Sequence, residues 1–266
     1  MNKADILQLP SMPLASPSYP KGPYRFIDRE YLIITYESDP SAIRAQLPEP
    51  LEPDGSNTVL YEFIKMPDSS GFGSYTESGI VIPARFNGEA VNFTSQMYLD
   101  IEAPISGGRE IWGFPKKLAK PSLVVSEDTL TGTLYYAGER VAMGTMRYKQ
   151  EQITYDLKGE SVCTSCVETL AKKMGKTQVN LKFIPDVDGS PAIAQLVAYN
   201  LSDIDIKGAW SGPARLHLVP HVNAPVADLP VRKVIGGMHF IADLTLPYGR
   251  VLHDYLKTSQ KEKKVA

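Results

Sequence analysis

The chain has 266 residues, 43% hydrophobic and 22% charged, an ordinary globular composition that excludes wholesale disorder and fits one large domain or two small ones. Basic side chains number 28 and acidic ones 30, for a formal charge of −2, so nothing electrostatic calls for nucleic acid or an anionic membrane as partner. The longest uncharged stretch, from Ile6 to Pro20, is broken by Pro10, Pro13 and Pro17 and falls short of the roughly 20 apolar residues of a membrane-spanning helix.

Residues 6–23 form a Pro- and Ser-rich lead-in ending in Pro20-Lys21-Gly22-Pro23, and the first 20 residues are expected to run extended over a surface. The amino terminus lacks the apolar core of a signal peptide, and two cysteines cannot build a disulfide framework, so a cytoplasmic setting is expected. Tyr31-Leu32-Ile33-Ile34-Thr35-Tyr36 predicts a strand. A short helix follows, with Asp39 as cap, Pro40 in its first position, Ile43 and Leu47 on one face and Pro48 as stop.

Further strands are predicted at 58–64, 79–86, 91–101 and 122–125, then a hairpin of 129–136 with 141–148, then 192–200, 214–219 and 237–246. One longer helix is predicted over 161–174, where Val162, Cys166, Leu170 and Met174 recur every four residues before Gly175. Many strands, few helices and no βαβ alternation predict a β-rich α+β fold, a single domain on a curved or closed antiparallel sheet. The last residues, from 257 on, are charged and expected to fray.

Most chemistry-bearing residue types have ordinary explanations. Cys163 and Cys166 have C-x-x-C spacing, but they lie in the amphipathic helical pattern with no strand before them and no further zinc ligands nearby, and read as packing residues. His217 and His221 are separated by Pro220 in strand-like sequence, so they do not share a helix face; His239 and His253 are isolated. Gly71-Phe72-Gly73 lacks the third glycine of a dinucleotide loop, and no G-x-S-x-G elbow occurs.

One segment stands apart: Arg109-Glu110-Ile111-Trp112-Gly113-Phe114-Pro115-Lys116-Lys117-Leu118. Either its two lysines are a surface pair snorkelling past aromatic neighbours, or one amine is held in an apolar pocket where it sheds its proton. An unperturbed lysine is neutral only about once in 2,500 molecules at pH 7. Desolvation can lower its pKa by about 3–5 units and free the amine to attack a carbonyl.

Residues 110–118 resemble the active-site stretch of the acetoacetate decarboxylase family. Other segments agree in order: Gly22-Pro23-Tyr24, Asp28-Arg29-Glu30-Tyr31, Pro48-Glu49-Pro50-Leu51-Glu52, Tyr75-Thr76-Glu77-Ser78-Gly79, residues 185–191, Trp210-Ser211-Gly212-Pro213 and Asp228-Leu229-Pro230-Val231. The likeness covers about residues 10 to 256. It implies that acetoacetate loses carbon dioxide to give acetone through a Schiff base on Lys116, with no metal or organic cofactor. The family is itself the standard example of a lysine activated by desolvation or by a neighbouring cation.

Arg29, Glu62 and Glu77 match pocket residues of the family, as proton relays or to admit an anionic 3-oxo acid, against structural ion pairs as the other reading. Lys117 is assigned to the pocket with Phe114 and Met97 as apolar lining, but its side chain should point away from that of Lys116 and pair with an acid elsewhere. Burial, not Lys117, is expected to dominate the Lys116 pKa. The resemblance also implies a cone-like β-barrel subunit and a homo-oligomer, often a dodecamer. Two rivals stand beside this reading: a Schiff-base aldolase-dehydratase of the same superfamily, and a non-catalytic β-barrel that binds a small ligand.

Overall fold

The β-branched and aromatic run at 31–36 is the middle of a longer strand. In the computed structural model, which describes residues 1–154 and 167–257, β1 spans Tyr24–Glu37. After it come β2 (Thr58–Met66), β3 (Tyr75–Phe86), β4 (Glu89–Leu99), β5 (Lys116–Leu118), β6 (Lys120–Ser126), β7 (Thr129–Tyr136) and β8 (Glu139–Arg147). The second half of the chain adds β9 (Gln178–Pro185), β10 (Pro191–Tyr199), β11 (Ser202–Gly212), β12 (Ala214–Leu218), β13 (Lys233–Leu246) and β14 (Arg250–Asp254).

The large sheet runs in the order β11-β13-β1-β2-β3-β4-β9-β10-β14, with β5 beside β4 and Glu151–Gln152 on the outer edge of β11. A smaller sheet has the order β12-β8-β7-β6. Neighbours are antiparallel except that β4 pairs in parallel with both β9 and β5. The β-rich α+β class therefore holds. Closure into a cone-like barrel is not reached among the described residues, because the hydrogen-bonded path is open. It branches at β4, where Phe93 faces β9 and Met97 faces β5, so no single antiparallel ring continues through that point.

Alternation along the strands sorts the side chains into two cores. Leu32 and Ile34 of β1, with Val59, Tyr61 and Phe63 of β2, face the small sheet. Tyr31 and Ile33 of β1 face the other side, together with Met97, Phe114, Tyr199 and Phe240. The two sheets meet closely where Gly132 of β7 pairs with Gly144 of β8. A Cβ on Gly132 would lie 2.2 Å from Cγ of Phe63, so that ring occupies the space of the missing side chain.

The helices are α1 (Lys3–Leu7), α2 (Pro40–Gln46), α3 (Glu102–Gly107) and α4 (Val167–Met174). The expected extended start is corrected by α1, which a reciprocal cap stabilises: Asn2 accepts from the Asp5 N–H and the Asp5 carboxylate accepts from the Asn2 N–H. In α2, Ile43 is buried as predicted and Asp39 stands at the N-cap. The Asp39 carboxylate bonds Arg232 at 2.6 and 2.8 Å instead of the helix N–H groups. Of the helix predicted over 161–174, residues 167–174 are helical; Val162, Cys163 and Cys166 lie outside the described residues. No described helix is long and apolar enough to cross a membrane.

Candidate active site

Register brings distant sequence segments into one row. Lys116 of β5 pairs with Met97 of β4, Met97 with Gly79 of β3, and Gly79 with Glu62 of β2. Directly paired residues lie on the same face, so Lys116, Met97 and Glu62 open onto one side of the sheet. Glu77 is two residues from Gly79 and shares that side. Arg29 joins through an irregularity: the β1–β13 register shifts between Phe26 and Arg29, and Asp28 takes φ +54° there. Such a bulge re-aims the following side chain, and Arg29 turns into the same space. The result is a cavity of about 490 Å³ whose wall includes Arg29, Glu62, Glu77, Met97, Phe114 and Lys116.

Lys116 is delivered by an irregular turn. Helix α3 runs into a π-helical turn, Gly108–Trp112, which Gly113 ends in the left-handed region at φ +73°. Surrounding groups hold this turn. Asn180 donates to the Trp112 carbonyl at 3.3 Å, Lys182 to the Ile111 carbonyl at 3.2 Å, and the Trp112 indole N–H to the Pro247 carbonyl at 2.9 Å. The Tyr19 hydroxyl donates to the Glu110 carboxylate. Arg109 donates to the carbonyl of Lys116 itself at 3.2 Å.

Lys116 is 6% exposed, and its Nζ lies 2.7 Å from Oε1 of Glu77 and 4.9 Å from the centre of the Phe114 ring. Oε2 of Glu77 is 3.7 Å from Nη2 of Arg29, whose guanidinium sits 5.0 and 4.9 Å from the Phe26 and Tyr31 rings. Burial pushes the Lys116 amine below the usual lysine range, with the Arg29 charge adding to the effect and Glu77 opposing it. Burial also raises the Glu62 carboxyl to about 7, which the Arg29 charge opposes and the Glu77 charge reinforces. An amine inclined to be neutral thus shares a cavity with a carboxyl inclined to keep its proton. This pairing suits nucleophilic attack on a carbonyl with proton relay.

Of the site residues expected from the sequence, Arg29, Glu62, Glu77, Met97, Phe114 and Lys116 line the cavity. Lys117 was assigned to the substrate pocket, but it does not line the cavity. As the next residue along a strand it faces the opposite side, donates to the Asn223 carbonyl and lies 5.0 Å from the Tyr136 ring. That partner is a backbone carbonyl, where an acid was expected. The histidines stay apart: His239 is buried, 2.9 Å from Glu30, while His221 and His253 pack on Tyr136 and Tyr255. Among the described residues no three His, Cys, Asp or Glu side chains gather as a metal site. Sequence reasoning passed over Tyr31, Tyr75, Tyr199 and Phe240 of the wall, because an aromatic in a strand carries no mark of which face it will line.

The chain is similar to known proteins over nearly its whole length. The family model described as acetoacetate decarboxylase matches residues 11–256. The chain is 54% identical over 246 residues to the acetoacetate decarboxylase of Acidiphilium cryptum, covering 92% of this chain and 95% of that protein. It is 55% identical over 250 residues to that of Paraburkholderia xenovorans, covering 94% of each. A crystal structure of acetoacetate decarboxylase from Legionella pneumophila superposes with a TM-score of 0.86 at 48% identity, covering 95% of both chains.

Proposed function

Because the chain belongs to the acetoacetate decarboxylase family, we propose that it is a carboxy-lyase that converts acetoacetate to acetone and carbon dioxide through an imine on Lys116. The observation that carries the reading is the buried Lys116 amine, 2.7 Å from Glu77 and facing a cavity shared with Arg29 and Glu62. A lysine so enclosed is at odds with a passive binder in which Lys116 merely lines the mouth. Relatives above 50% identity carrying the decarboxylase name favour loss of carbon dioxide over aldol condensation.

The neutral amine adds to the ketone carbon, and loss of water after protonation leaves an iminium ion. The carbon–carboxylate bond then breaks, its electron pair moves into the iminium, and carbon dioxide leaves behind an enamine. Protonation on carbon regenerates the iminium, and water releases acetone and the free amine; the net reaction consumes one proton per turnover. Glu62, whose carboxyl keeps its proton near neutrality, fits the role of donor. Glu77 fits the role of relay beside the amine, and Arg29 that of attracting the substrate carboxylate. Phe114 and Met97 supply apolar wall, and no step requires a metal or organic cofactor.

The test is to incubate the protein with acetoacetate and borohydride and map the reduced adduct by mass spectrometry. The adduct is expected on Lys116, with Lys116→Ala losing turnover by a factor of about 10³ or more. An unmodified Lys116 together with undiminished turnover in that variant ends the proposal. A single domain, a cone-like wrap of the large sheet, a cytoplasmic setting and a homo-oligomer, dodecameric by resemblance, belong to the same reading. Sedimentation velocity reads the subunit count, and a monomer would remove that part.

A further inference from the structure

We infer that Gly108 is a positioning residue for Lys116: the bare backbone of the π-helical turn is the bed on which the lysine stem lies, and any side chain there would lift the amine from its place beside Glu77. A Cβ built on Gly108 would lie 2.7 Å from Cδ, 3.0 Å from Cε and 3.3 Å from Nζ of Lys116. Carbon atoms attract best at about 3.5–4.0 Å, so the first two contacts are repulsive. The backbone does not itself demand glycine. Gly108 has φ −62° and ψ −46°, ordinary helical values at which alanine is the better residue. What excludes a side chain is the lysine.

The turn cannot retreat from an added methyl, because its other side is occupied. A Cβ on the adjacent Gly107 would come within 3.1 Å of the Tyr19 ring, and Tyr19 is tied to Glu110 in the same turn. Asn180 and Lys182 hold the carbonyls at its far end. The flexible stem of Lys116 must therefore yield, and its open side is the cavity it lines. Movement that way changes the 2.7 Å contact with Glu77 and the 4.9 Å approach to the Phe114 ring and brings the amine further into the open space. Distance from Glu77 by itself would lower the amine pKa, but burial is the largest influence on it, so on balance the less enclosed amine holds its proton more firmly.

This inference rests on Lys116 being the nucleophile, but its decisive measurement does not need turnover. The rate at which 4-nitrophenyl acetate acylates Lys116 is followed against pH by peptide mapping, in wild type, Gly108→Ala and Gly107→Ala. For Gly108→Ala the rate at pH 7 is expected to be about tenfold lower with an unchanged alkaline plateau, the signature of a raised amine pKa. Its kcat for acetoacetate should fall about 10²-fold, with KM within about threefold of wild type. Gly107→Ala, whose methyl faces Tyr19, should keep the wild-type acylation profile. An identical profile in Gly108→Ala overturns the inference. So does a Gly108→Ala chain that fails to fold, since the stem and not the turn is required to give way. A wild-type chain that turns over no acetoacetate sinks the proposed function, while the acylation comparison still decides this one.

Discussion

Oε1 of Glu77 lies 2.7 Å from Nζ of Lys116, and the two side chains belong to residues only 2% and 6% exposed. A carboxylate this close favours the ammonium form, whereas burial and the Arg29 charge disfavour it. Removing the negative charge in Glu77→Gln takes away the charge that raises the amine pKa. The acid limb of the kcat/KM profile, which reports loss of the neutral amine, is therefore expected to move to lower pH. At its optimum the variant should be slower by about 10²–10⁴-fold, the usual worth of a positioned proton relay. A pH–rate profile checks both, and an acid limb displaced upward contradicts the sign.

Glu62 governs the opposite limb of the profile. With its carboxyl raised to about 7 by burial, it can donate a proton below that pH and loses the ability as pH rises through it. Wild-type kcat/KM is expected to decline on the alkaline side near pH 7, and Glu62→Gln to abolish that decline while lowering kcat about 10²-fold or more. Persistence of the same alkaline limb in the variant would assign it to another group.

Lys117 should matter to packing and not to chemistry. Its ammonium contacts the Asn223 carbonyl and the Tyr136 ring on the far side of β5. Lys117→Met is expected to leave the acid limb where it is and to cost about 1 kcal/mol in urea unfolding. A limb that moves toward pH 10 would show that the neighbouring charge, and not burial, sets the state of Lys116.

The contact between sheets gives a stability prediction away from the cavity. The Phe63 ring fills the space beside Gly132, so Gly132→Ala overpacks the core and should destabilise the protein by about 1–3 kcal/mol. Chemical denaturation reads this directly, and an unchanged midpoint would mean that the sheets can separate slightly without cost.

Much of the strand content was legible, from the β-branched and aromatic run in β1 and from the period-two alternation of β7 and β8. Four strands were not predicted, β5, β9, β11 and β14, and two of them have local reasons. Ser202–Gly212 opens on Ser202, Asp203 and Asp205, which read as loop, and the three residues Lys116–Leu118 are too few to show any period. The turn Gly108–Trp112 was illegible for a different cause: two glycines open it, and π-helical spacing matches neither the helical nor the strand template.

The order of short segments around Lys116, with Arg29, Glu62 and Glu77 at matching positions, was enough by itself to identify the family and nominate the reacting amine, because residue identity at spaced positions is a one-dimensional property. Which of two adjacent lysines faces the cavity, how far its nitrogen stands from Glu77 and what lies beneath its stem were decided only by the tertiary structure. Those depend on the pairing of β5 with β4 and on the path of a turn held by Tyr19, Asn180 and Lys182. A shift of one residue in that pairing would present Lys117 in place of Lys116 with no change in sequence.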